Sequence, residues 1–186
     1  MSFIPLGILA ASGAGGGGAY ESIATLSPSG TNTVTFTSIP STYKSLQIRA
    51  IMRSDQVNAG FVALKVQPNS ATSTYADHRL FGNGTTASAS SGTGRAYGNI
   101  DACVPRDSAT ASTYGVVILD IIDYASTTKA KTFRAINGVD LNGTGQINLS
   151  SFLWTDTTAI SSIALSPESG NWKAGTTIAL YGIKGA

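Results

Sequence analysis

The sequence predicts an all-β protein: an antiparallel β-sandwich, jelly-roll-like, with an extended N-terminal arm. Three observations carry that prediction. Short segments alternate apolar and polar residues with a period of two, as half-buried strands do. Clusters of Gly, Pro, Asn and Ser separate these segments at short intervals. No long stretch has the 3.6-residue period of an amphipathic helix. At 186 residues the chain is sized for one domain with a substantial core. The expected division is an anchoring arm and Gly-rich linker over 1–20 and a sandwich over 21–186.

In the arm, Phe3, Ile4, Leu6, Ile8 and Leu9 make a short apolar plug, interrupted by Pro5 and Gly7. From Ser12 to Ala19 no side chain is larger than a hydroxymethyl group, and Gly15, Gly16, Gly17 and Gly18 run unbroken. Such a run has almost nothing to pack and is entropically costly to order. The plug has no basic residue ahead of it, and Pro5 and Gly7 break its apolar run. It therefore reads as a docking peptide and not as a secretory signal. The glycines after it read as a pivot or a place of close backbone approach.

The body begins after the arm. Thr33 to Thr37 alternates apolar and hydroxyl residues, and Pro40 stops it. Ser45 to Arg53 puts Leu46, Ile48, Ala50 and Met52 on one face. Phe61 to Gln67 does the same with Val62, Leu64 and Val66. Asn69 to Gly98 is poor in large residues. Ser88 to Gly94 (SASSGTG) is low in complexity and reads as an exposed loop. A loop this long is unusual, so either a strand lies near Ala76–Phe81 or the loop is functional.

Tyr114 to Tyr124 is the strongest apolar run. It fits a strand buried on both faces or a helix, and its β-branched residues favour the strand. Lys131 to Asn137 is its expected partner. Asn137-Gly138 and Asn142-Gly143 are both turn signals. Gln146–Trp154, Ala159–Leu165 and Thr177–Ile183 complete a set of about eight to ten strands. Only Thr42–Ser45 and the 120s leave room for a helical turn.

Charge excludes some functions. Charged residues are 12% of the chain and the net charge is +2. The densest basic group, Lys129 to Arg134, has three cations in six positions with Phe133 alone among them and no larger basic stripe, which is no nucleic-acid footprint. No apolar run is long enough to span a membrane as a helix.

No motif makes an enzyme. Gly13 to Gly18 matches GxGxxG only because it is polyglycine, with no strand before it and no helix after it. Asp140 to Gly145 imitates the start of a calcium loop, but Ser151 stands where the closing bidentate Glu belongs. His78 and Cys103 are the only His and Cys, too few for zinc or haem ligation. No GxSxG elbow accompanies them, and Cys103 reads as a buried free thiol. Glu21 and Glu168 are the only glutamates, and nothing in the sequence pairs the acids for glycoside hydrolysis. Sequons at Asn83, Asn142 and Asn148 read as chance. Trp154, Trp172, Tyr75 and Tyr97 are the candidates for stacking on sugar rings. Core packing is the alternative for both tryptophans, since large aromatics bury most area in a small sandwich. No metal or cofactor is expected.

Three stretches carry a family resemblance: MSFIPLGILAASGAGGGGAYE at the start, SIPSTYKSLQIR (Ser38 to Arg49), and IALYGIKG (Ile178 to Gly185). Together they resemble small virion structural proteins of tailed bacteriophages, cyanophage and marine phage types included. The resemblance covers both ends and the first strands and is weak through 69–110. It implies a non-catalytic appendage located in the virion, docked on capsid or tail proteins by its arm. Capsid decoration, as cement or head fibre, is favoured over a tail fibre because the chain has no fibrous repeat and no separate tip. The resemblance also implies a homo-oligomer, with a trimer the guess from phage precedent. The competing expectation is a tail fibre or adhesin that binds a host surface glycan. Neither nucleic acid nor membrane insertion is expected.

Overall fold

Alternation decides most of the architecture. A computed structural model describes residues 18–58, 60–72 and 75–185. Phe3, Ile4, Pro5, Leu6, Ile8, Leu9, Gly15, Gly16 and Gly17 lie outside the described residues; Gly18 is the first within them. The chain runs through β1 (Tyr20–Leu26), β2 (Val34–Phe36), β3 (Ser45–Met52) and β4 (Phe61–Pro68). Next come β5 (Tyr75–Gly82), β6 (Ala87–Arg95), β7 (Gly98–Pro105) and β8 (Gly115–Ile122). It closes with β9 (Lys131–Asp140), β10 (Gly145–Trp154), β11 (Ile163–Pro167) and β12 (Thr177–Ile183). No helix occurs among the described residues.

The strands form two antiparallel sheets. The large one has eight strands in the order β1-β12-β3-β8-β9-β10-β5-β6, and the small one has four in the order β2-β11-β4-β7. The chain alternates between them: β3 to β4, β6 to β7, β7 to β8 and β11 to β12 all change sheet. The inner faces meet in one core, as a sandwich requires. The large sheet contributes Leu46, Ile48, Leu119, Phe133, Phe152 and Leu180. The small sheet answers with Val62, Leu64, Val66, Ile100, Ile163 and Leu165. Phe133 and Phe152 stack with centroids 4.3 Å apart, and Tyr75 meets Phe152 edge-on at 6.3 Å.

Four expectations are corrected. There are twelve strands among the described residues where eight to ten were expected. Ser88 to Gly94 is strand, not loop: its small side chains pair in β6 along the edge of β5. Asn137-Gly138 is not a turn but lies within β9, opposite Asn148 and Ile147 of β10. The reversal comes at Asn142-Gly143, with φ of 60° and 110°, which suits a tight hairpin. Finally, β8 is buried on one face only. Val117, Leu119 and Ile121 point inward, while Val116, Ile118 and Ile122 stay about half exposed.

Two buried cations hold the ends of the sandwich. The Arg53 guanidinium donates to the carbonyls of Asp107, Ala109, Thr110 and Thr113, which fixes the loop between β7 and β8. Lys131 is fully buried, and its ammonium donates to the carbonyls of Lys129 (2.6 Å) and Thr157 (2.9 Å). Desolvation holds its pKa below the usual lysine value.

Candidate functional site

The described end of the first stretch that carries the resemblance, residues 18–21, meets parts of the other two at one corner. β1 pairs with β12 and β12 with β3, so the end of the arm, Ser45–Arg49 and Ile178–Ile183 lie side by side. The Lys184 N–H donates to the Ala19 carbonyl at 3.0 Å, and the Lys44 N–H to the Ile183 carbonyl at 2.8 Å. Lys184 also pairs with Glu21 at 2.9 Å, and this bond raises its pKa. Gly182 is required here because the Tyr43 ring occupies the space of any Cβ at that position. The chain enters the sandwich from the arm at this corner.

A polar row leads outward from the corner. The Arg49 guanidinium lies 5.4 Å from the Tyr20 ring centroid and 5.7 Å from that of Tyr181, within cation–π range. Arg49 Nε donates to Gln47 Oε1 at 2.7 Å, and Gln47 Nε2 to Asp120 Oδ1 at 2.8 Å. Arg134 Nη2 donates to Asp120 Oδ2 at 3.1 Å. The row continues across the strands through Ser151 and His78 to Ser91.

Beside it runs an apolar row on the same outer face of the large sheet. Register aligns Ile118 of β8, Ile136 of β9, Leu149 of β10 and Leu80 of β5. The next row adds Ile51, Val116 and Ile147, interrupted by Gly138 and Gly82. These seven large side chains remain 45 to 65% exposed. The glycines leave a shallow open groove of about 870 Å³ between Val116, Ile136 and Ile147. A second depression of about 600 Å³ lies around His78, Leu80 and Leu149.

Most residues singled out in the sequence lie elsewhere. Trp154 and Trp172 are 1% and 0% exposed and Tyr75 is 1% exposed, so none of the three has a face to offer a sugar. Their large apolar area is spent in the core, and as glycan contacts they are withdrawn. Tyr97 is half-buried, with Lys65 Nζ 5.0 Å from its ring centroid and its hydroxyl 3.5 Å from Glu168 Oε1. Cys103 is buried, and desolvation pushes its thiol up to about 12, far from a nucleophile's range. The Lys129–Arg134 group is divided: Lys129 pairs with Asp123, Lys131 is buried, and Arg134 pairs with Asp120. Asp140 accepts the Asn142 N–H at 2.8 Å as part of the hairpin turn. No group of three or more His, Cys, Asp or Glu able to hold a metal occurs among the described residues.

The outer apolar face was missed in the sequence. In a run such as VVILDII both strand faces are apolar, so no alternation tells the exposed face from the buried one. No family model matches the chain, and no curated protein matches it either.

Proposed function

We propose that this chain is a non-catalytic structural module of a bacteriophage virion, fixed to the particle by residues 1–20. Capsid decoration, as cement or head fibre, is the location we favour. The observation that carries the reading is the corner at β1, β12 and β3. Tyr20 and Glu21, Ser45–Arg49 and Ile178–Ile183, drawn from the three stretches that resemble phage structural proteins, are distant in sequence yet form one continuous base where the arm joins. A docking peptide needs such a base: a folded body that resists pulling while the glycines adjust. The groove beside Val116, Ile136 and Ile147 is shallow and apolar, which suits contact with protein more than turnover of a small substrate.

A glycan-binding role lacks support, since three of its four candidate rings are buried in the core. The test is incorporation. A chain lacking residues 1–12 folds normally and is absent from purified particles. Normal incorporation of that truncated chain refutes the docking role. Density for the protein on the tail in an electron cryomicroscopy map refutes the capsid location and leaves the docking role standing.

A further inference from the structure

We propose that the outer face of β8, β9, β10 and β5 is covered by the same face of a second copy of this chain. The inference deepens the structural-module reading by naming the surface on which copies meet.

Size is the first argument. Six Ile, Leu and Val side chains on these strands, with Ile51 on the neighbouring β3, are about half exposed and present, at roughly 100 Å² each, on the order of 700 Å² of contiguous apolar surface. A solitary soluble protein's largest patch is about 300–600 Å². One partner's share of a stable interface is about 800 Å². The patch is therefore larger than a free surface carries and close to what one half of a dimer supplies.

Shape is the second. The four strands are consecutive neighbours, and the register of their pairs is unbroken from β3 to β5. Two such faces pack as sheets do, about 10 Å apart, with side chains of one entering the gaps of the other. The gaps at Gly138 and Gly82 suit large aliphatic side chains such as Ile118 or Ile136. A two-fold pair covers both faces at once and leaves neither exposed.

Charge is the third. The margin carries both signs, with Asp120 between Arg49 and Arg134. The chain's net charge is only +2. Two copies thus approach without strong repulsion, whereas an acidic or basic partner finds no matching field.

The experiment measures mass in solution for the full chain and for two variants, Ile118→Lys and Ile136→Lys. Both positions are about half exposed, so the monomer fold tolerates lysine there, and far-UV circular dichroism checks this. A third variant, Leu149→Lys, stands in if either misfolds. The full chain is expected at twice 19.0 kDa at tens of micromolar. Each variant is expected to weaken association by roughly thirtyfold or more, the effect of a central interface residue. A monomeric full chain overturns the proposal, and so does any assembly that survives the substitutions. A chain that becomes dimeric only after removal of residues 2–17 also overturns it, because the arm would then be what covers the face. Loss of the arm's docking role leaves these masses unchanged, so the two proposals fail separately.

Discussion

Replacing Arg53 with Met should loosen one end of the sandwich without emptying it. Met keeps most of the aliphatic stem, so the packing loss is small. What disappears is a guanidinium that is 3% exposed and makes five hydrogen bonds within the loop between β7 and β8. A hydrogen bond from a charged donor contributes about 1.5–3 kcal/mol. The loop is at the surface, so its freed carbonyls regain water, and roughly half of the gross sum is lost in practice. The net cost is about 4–7 kcal/mol, in a domain whose total stability is of order 5–15 kcal/mol. For a chain of this size that corresponds to a fall in Tm of roughly 8–28 °C. Thermal unfolding followed by circular dichroism reads the shift. Hydrogen exchange should show the amides of 106–113 opening ahead of the strands. Arg53→Lys recovers only part, because one ammonium has three donors for four carbonyls. A shift below about 2 °C, with those amides still protected, would refute the claim that Arg53 holds the loop.

Two further predictions concern packing and pH. Gly115→Ala is expected to destabilise severely, because the new Cβ would overlap the Cys103 backbone carbonyl and neither side can yield cheaply. A purified variant with an unchanged denaturation midpoint would contradict this. Cys103 titrates near 9.0 when unfolded and near 12 when folded. Above pH 9 the folded chain therefore keeps a proton that the unfolded chain has lost, and stability falls as pH rises. The loss attributable to Cys103 is about 1 kcal/mol between pH 9 and 10. In urea titrations across that interval Cys103→Ala should lose this slope, at the cost of lower stability at pH 7. An unchanged slope would show that the thiol is not the group responsible.

Legibility in the sequence followed the contrast between the two faces of each strand. β3 and β4 could be oriented face by face, because inward Leu46, Ile48 and Met52, and Val62, Leu64 and Val66, alternate mostly with polar or small residues such as Gln47, Arg49, Ala63 and Lys65. β8 could be placed but not oriented, since Val116, Ile118 and Ile122 are as apolar as the buried Val117, Leu119 and Ile121. β6 was illegible because Ser, Ala, Gly and Thr give no hydrophobic period; its state is fixed by pairing with β5. Asn137-Gly138 carried the right chemistry for a turn, yet tertiary pairing overrode it: Asn137 is buried and donates to the Asp101 carbonyl at 2.8 Å. The tryptophans were readable as core or as contact, and only burial decides between those uses. The arm's chemistry was legible, but its residues up to Gly17 lie outside the described structure.

The large sheet treats its edges and its face in opposite ways. At one edge, the register of β1 against β12 shifts between Ser22 and Ala24. At the other, the register of β6 against β5 shifts where Asp77 follows Tyr75, and the extra residue falls on β6. Each irregularity lies on an outermost strand, while the five pairings between them run in unbroken register. Bulges at edges twist the free backbone away and discourage strand addition. Nothing comparable breaks up the apolar rows on the face. A chain selected only to stay monomeric would be expected to place charges on Ile118, Ile136 or Leu149 at no cost to its core. Protecting the edges while leaving the face apolar suppresses open-ended growth through strands and still permits closed pairing through faces. That combination suits a component that must assemble in a fixed number of copies.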